Sequence, residues 1–164
     1  MNEFVITRVL DAPRDKAWKA WTDAERLKQW WGPKGFKVHT CKLDLKPGGV
    51  FHYGMTTPDG QDMWGKFIYR EVTPPKKLVF VVSFSDPHGG VTRHPWNANW
   101  PLHTLSTVEF DEQGPAKTKV TVHWLPHEAS DIERKTFDEG RDSMKQGWGG
   151  TFDQFADYLK AAAK

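Results

Sequence analysis

The sequence predicts an α+β domain in which one antiparallel sheet is crossed by one long helix. Two observations carry this. Between about residues 36 and 125, six short runs rich in apolar and β-branched residues are cut by turn residues, and several alternate apolar with polar. Beyond Ser130, Phe137, Met144, Trp148, Phe152, Phe155, Leu159 and Ala162 recur at steps of three, four or seven, one apolar stripe on a helix over about 131–162. A helix with one apolar stripe and a sheet with one apolar face bury both by lying against each other.

The elements follow in order. Residues 4–10, Phe4-Val5-Ile6-Thr7-Arg8-Val9-Leu10, read as a strand that Asp11-Ala12-Pro13 ends. Proline suits the first turn of a helix, and Ala17, Trp18 and Trp21 then recur at helical spacing. Thr22 with Glu25 has the form of a capping box and restarts a second short helix through Leu27 to Trp31, which Gly32-Pro33 stops. Strands are expected at about 36–45, 49–56, 62–72, 77–84, 102–110 and 117–125, making a sheet of six to seven strands. Pro47-Gly48-Gly49, Pro58-Asp59-Gly60, Thr73-Pro74-Pro75 and Gln113-Gly114-Pro115 supply turns between them. In two runs the period is clear: Phe51, Tyr53 and Met55 against Val50 and His52, and Thr118, Val120, Val122 and Trp124 against Lys119, Thr121 and His123. Ser130 and Glu133 form a second capping box before the long helix, with Asp131 also at its start and Lys160 and Lys164 at its end, as the helix dipole favours.

The long helix contains Gly140, Gly147, Gly149 and Gly150. Each costs about 1 kcal/mol against alanine in a helix interior. Two explanations stand: close packing or a kink beside bulky tryptophans, or room left above the sheet for a ligand.

Composition narrows the function. A chain of 164 residues fits one domain, 1–164, with no repeat or linker dividing it. With 23 basic and 21 acidic residues the net charge is +2, so no electrostatic ground exists for nucleic acid. No apolar run reaches the length of a membrane helix, and the first residues lack the basic start and apolar core of a signal peptide. The expected setting is soluble, reduced and cytoplasmic. The single Cys41 excludes an internal disulfide and any zinc site of several thiolates. His39 and Cys41 share a strand face on simple alternation, yet a lone thiol near one imidazole is more often a small buried residue than a nucleophile. The seven histidines lack metal-site spacing, although strands could bring His52 and His103 together. Neither metal nor cofactor is implied. Tyr69, His103, Glu109 and Arg141 are the acid/base candidates if they converge, and no catalytic constellation is identifiable. Nine Trp and ten Phe against three Tyr either fill a core or line an apolar cavity.

Five segments resemble one family when read in order. Ala12-Pro13-Arg14 with Ala17-Trp18, then Thr22-Asp23 and Trp30-Trp31-Gly32, resembles the opening of the SRPBCC superfamily, also called START or Bet v 1-like. Leu43-Asp44-Leu45-Lys46-Pro47-Gly48-Gly49 is similar to its D-L-R-P-G-G turn. Gly65, Arg70-Glu71-Val72 and Pro74-Pro75-Lys76-Lys77-Leu78 resemble its G-x-x-x-E-V-x-P-P-x-x-L segment, and Gly147-Trp148 a G-W pair on its last helix. Together they resemble the bacterial branch related to the activator of the heat-shock-protein-90 ATPase. The resemblance implies the helix-grip fold: a curved antiparallel sheet, two short helices, and one long C-terminal helix across it. It also sets 85–101 apart, a segment longer than the short hairpin expected there and carrying two Trp, two His and an Arg. That segment is expected to be a cavity lid or rim, a dimer contact, or plain surface.

On this resemblance the expected function is binding of an apolar, aromatic or lipid-like small molecule between the C-terminal helix and the sheet, in a cavity of at least about 300 Å³. The expected lining is Trp31, Trp64, Tyr69, Phe80, Phe84, His103, Trp124, Arg141, Met144, Trp148 and Phe152, while Phe155 and Leu159 belong to the core. Two alternatives remain open: a co-chaperone-like protein-interaction module acting through 85–101, and a cyclase- or hydrolase-type enzyme using the same cavity. Homodimerisation is compatible with each.

Overall fold

The computed structural model describes residues 3–162; Met1, and Lys164 expected at the end of the last helix, lie outside them. Strand β1 (Phe4–Leu10) leads into helices α1 (Arg14–Thr22) and α2 (Ala24–Trp30). Strands β2 (Lys37–Leu43), β3 (Val50–Thr56), β4 (Asp62–Thr73), β5 (Lys77–Ser85), β6 (Val91–Thr92), β7 (Thr104–Gly114) and β8 (Lys117–Pro126) follow, then helices α3 (Asp131–Glu139) and α4 (Arg141–Ala162). All strand pairs are antiparallel in the order β1-β8-β7-β5-β4-β3-β2, with the two-residue β6 added against β5. This is the helix-grip arrangement. No helix among the described residues is long and apolar enough to cross a membrane.

Alternation decides which face is covered. Phe51 and Tyr53 on β3, Phe67 and Tyr69 on β4, Phe80 on β5, Val108 and Phe110 on β7, and Val120 and Val122 on β8 are all buried. Their registers place them on one face, where Phe67 and Phe80 stack at 4.0 Å. Gly65 makes this packing possible, since a Cβ there would come within 2.6 Å of the Tyr53 ring. Helix α4 covers the face with Trp148, Phe152, Phe155 and Leu159, and α1 and α2 fill the remaining end with Trp18, Trp21 and Trp30. Burying each such side chain contributes about 1.5–3 kcal/mol, so these aromatics carry much of the folding free energy.

Three local expectations change. The cap of α2 is Asp23, not Thr22: the Asp23 carboxylate accepts from Glu25 N–H at 3.0 Å, while the Thr22 hydroxyl donates back to Trp18 O at 2.7 Å. The helix expected over 131–162 is two helices, because α3 ends at Gly140, whose N–H donates to Thr136 O and Phe137 O. The Trp100 ring occupies the space beside Gly140, where a Cβ would sit 2.9 Å from it. The third change is β6, which pairs Val91 and Thr92 with Ser85 and Phe84 inside 85–101, where the sequence reading names no strand. The Ser130–Glu133 capping box forms as expected.

Candidate functional site: a cavity under the last helix

A cavity of about 240 Å³ lies between the first half of α4 and the sheet. It is smaller than the roughly 300 Å³ expected of a small-molecule pocket. The helix contributes Met144, Gly147, Trp148 and Thr151, positions at steps of three and four that share one face. The corner after α2 adds Trp31, Gly32, Pro33 and Phe36; the sheet adds Tyr53, Met55, Val82, Phe84, Thr104 and Trp124; Trp100 and Pro101 complete the wall. Gln154 ties helix to corner by donating to Gly32 O at 2.7 Å and to Trp30 O at 3.2 Å.

Of the eleven residues expected to line the site, Trp31, Phe84, Trp124, Met144 and Trp148 border this cavity. Trp64 borders it too, but its indole lies on the other face of the sheet, over Gly54 and stacked on His52 at 5.3 Å. Tyr69 and Phe80 point to the covered face but are packed in the core, against each other and Phe67. Phe152 lies one turn beyond Trp148, fully buried, with the Arg8 guanidinium over its ring. Arg141 turns away to Glu3 O and Asp138. His103 precedes β7 outside the wall, its carbonyl accepting from His127 N–H at 3.0 Å.

Gly147, Tyr53, Met55, Trp100 and Thr104 are among the lining residues that the sequence reading does not name. Parity with Phe51 is enough to find Tyr53 and Met55, since their run alternates. Gly147 shows where the helix glycines divide. A Cβ at Gly147 or Gly149 would meet nothing within 4 Å, whereas at Gly150 it would press on Lys34 and at Gly140 on Trp100; of the two open positions, Gly147 borders the cavity.

The second half of the 85–101 segment forms wall. Trp100 lies on Phe137 at 5.6 Å, and Arg93 reaches Glu133. The Glu133 carboxylate also accepts from Ser130 N–H at 2.9 Å and Leu102 N–H at 3.0 Å. The Ser130 N–H, with the Arg93 guanidinium and the Leu102 N–H, holds this carboxyl down at about 2 despite its burial.

Chemically the interior is neutral. No charged side chain borders the cavity among the described residues. Burial pushes the Tyr53 phenol up, so it stays protonated. The indole N–H groups of Trp31 and Trp124 are buried with no hydrogen-bond partner among the described residues.

The acid/base candidates do not converge. Tyr69 is in the core, Arg141 is on α4 away from the wall, and Glu109 pairs with His123 at 2.8 Å on the uncovered face. Burial, with Glu25 nearby, pushes the Cys41 thiol up to about 11, and it donates to Ala24 O. A register shift in β2 turns His39 instead toward Trp64 and Asp62. His52 approaches Ser85 Oγ and Asp86 O rather than His103. Among the described residues, no three of His, Cys, Asp and Glu gather as metal ligands.

Comparison with known proteins agrees with this architecture. A crystal structure of a protein from Nitrosomonas europaea is 24% identical, with a TM-score of 0.76 over 98% of this chain and 96% of its own. A solution structure from Arthrobacter aurescens is 25% identical, with a TM-score of 0.78 over 98% and 87%. The AHSA1 protein from Silicibacter pomeroyi is 18% identical, with a TM-score of 0.73 over 98% and 99%. None of the curated proteins matches. The family described as Activator of Hsp90 ATPase homolog 1-like protein matches residues 11–160, nearly the whole of the fold above, and the chain belongs to that family.

Proposed function

We infer that this protein is a binding module for an apolar small molecule, held between α4 and the sheet. The fold in general supports a ligand-binding or a co-chaperone-type module. What favours the first is Gly147. A glycine in mid-helix costs about 1 kcal/mol against alanine, and here the neighbouring space that a side chain would take belongs to an apolar cavity. Gly140 and Gly150 sit against Trp100 and Lys34; Gly147 and Gly149 both sit against open space, and of these two Gly147 is the one that borders the cavity.

The test uses Gly147→Leu with naphthalene as a flat apolar probe. The leucine projects toward the cavity and restores helix propensity, so the variant is expected to be as stable as the parent or up to about 1 kcal/mol more so. The parent should gain saturable thermal stabilisation from naphthalene, about 2.7 kcal/mol at one hundred times the dissociation constant. The variant should gain none. Equal stabilisation of both proteins would place the probe elsewhere and remove the reading.

A further inference from the structure

The cavity has a definite capacity. An engineered apolar cavity of about 150 Å³ holds benzene, with six carbons. At the same volume per carbon, the 240 Å³ under α4 holds about ten. A sterol or a long acyl chain has far more.

Most of the wall resists being pushed back. The Trp31 and Trp124 rings meet the Trp148 ring edge-on at 5.8 and 5.6 Å, and Trp21 stacks on Trp148 at 6.1 Å. Trp100 is backed by Phe137 at 5.6 Å. Gln154 fastens the corner after α2 to the helix through Gly32 O and Trp30 O. Forcing extra carbons into such packing displaces side chains and backbone at a cost that offsets their burial.

The adjustable part of the wall is methionine. Met55, Met63 and Met144 all border the space. Their unbranched thioethers fill irregular gaps and make favourable contacts with aromatic rings. Met144 stands three residues before Gly147 on the same face of α4, so one side chain fills space that the other leaves open.

The lining also selects against charge. No charged side chain borders the cavity among the described residues, the Tyr53 phenol stays protonated, and the Thr151 hydroxyl turns back to Gly147 O at 2.9 Å. A carboxylate drawn inside would be buried with no counter-charge, which costs far more than burying a neutral group. We propose that the ligand of this cavity is an uncharged arene of about two fused rings, and that Met144 sets the upper limit on its size. This rests on the cavity being the ligand site, as inferred above, and it decides against the lipid-like molecules that the sequence left open.

Benzene, naphthalene and phenanthrene, with one, two and three rings, separate the two statements. Their dissociation constants are measured by equilibrium dialysis on the full chain. Naphthalene should bind most tightly. With room to spare, the four further carbons of phenanthrene would tighten it about a hundredfold over naphthalene; in a full cavity it should bind more weakly. Laurate, a charged chain, should not displace naphthalene. Met144→Ala removes three heavy atoms from the wall and should make phenanthrene the tightest of the three; Met144→Val, a milder shortening, should narrow the gap between the two larger probes and serves if the alanine variant does not fold. Gly147→Ala works in the other direction. It gains helix propensity, and its methyl should weaken naphthalene while leaving benzene unchanged. Phenanthrene binding tightest in the parent, displacement by laurate, or equal effects of Gly147→Ala on benzene and naphthalene overturns the proposal and leaves the cavity as a site. An order of affinities untouched by shortening Met144 overturns the limit assigned to that residue. Failure of all three probes to bind the parent overturns both statements.

Discussion

Trp148→Ala is expected to destabilise the folded chain by about 3–5 kcal/mol, the range for truncating a buried aromatic. Trp148 is 5% exposed and stands between the helices and the sheet. Its ring stacks on Trp21 at 6.1 Å, meets Trp31 and Trp124 edge-on, and contacts Phe152 at 5.6 Å. These partners come from α1, the corner after α2, β8 and α4, so removing one ring loosens three junctions at once. A cavity already lies on one side, and the surroundings have little way to collapse into the space. Against a total stability of about 5–15 kcal/mol, such a loss is large enough to leave part of the chain unfolded at room temperature. Urea unfolding reads it as a lower midpoint at unchanged slope. A shift worth less than about 1 kcal/mol would mean that the neighbouring rings close over the gap and that Trp148 is not the keystone assigned here. This same centrality makes Trp148→Ala a poor probe of binding, because weaker binding would follow from a damaged wall whether or not the ligand touches the ring. Gly147→Leu avoids that confusion.

The fold was far more legible in the sequence than the site. Strand and helix signals are local: β1 is found at its expected residues, and the Ser130–Glu133 box is written in two side chains three residues apart. The lining of a cavity depends on which way each strand faces, and a single step reverses it. Trp64 and Tyr69 are five residues apart on one strand, so regular alternation puts their side chains on opposite faces, and alternation alone does not say that Trp64 borders the cavity while Tyr69 does not. The register sends Tyr69 to the covered face and the Trp64 ring to the other. Parity still does not locate the gap: Tyr69 and Phe80 face inward and are packed solid, while Phe84, four residues on from Phe80, borders open space. The difference is set by what lies opposite, and that is long-range information. Gly140 illustrates the same limit. Its cost to a helix is visible in the sequence, but its cause is Trp100, forty residues earlier and brought there by a segment that no local pattern could place.

The segment that brings Trp100 into place is held by Glu133, and Glu133→Gln is expected to lower stability by about 2 kcal/mol at pH 7, the scale of a hydrogen-bonding set to a charged acceptor. The carboxylate gathers three donors from two parts of the chain: Ser130 N–H at the start of α3, Leu102 N–H, and the Arg93 guanidinium. Glutamine keeps the shape and can still cap α3 through its carbonyl oxygen. It gives up the charge, and it turns an NH₂ toward a donor that formerly found an oxygen. The pH dependence identifies the charge as the agent. The folded-state carboxyl is depressed from 4.5 to about 2, so its stabilisation is fully present above the unfolded value and is lost as pH falls from about 4.5 toward 2. The parent should therefore lose its advantage over Glu133→Gln across that window, and the two proteins should converge near its lower end. Urea midpoints at pH 7, 5, 4, 3 and 2 measure this. A gap unchanged over the series would show that shape, not charge, does the holding. Hydrogen exchange locates the consequence: at pH 7 the Leu102 amide should exchange faster in the variant, because Trp100 and Pro101 then form a looser side of the cavity. Since Phe137 and Gly140 also rest against Trp100, the loosening should extend to the α3–α4 break while the core strands β7 and β8 keep their protection. Undiminished protection at Leu102 would mean that the aromatic contact alone holds the segment in place.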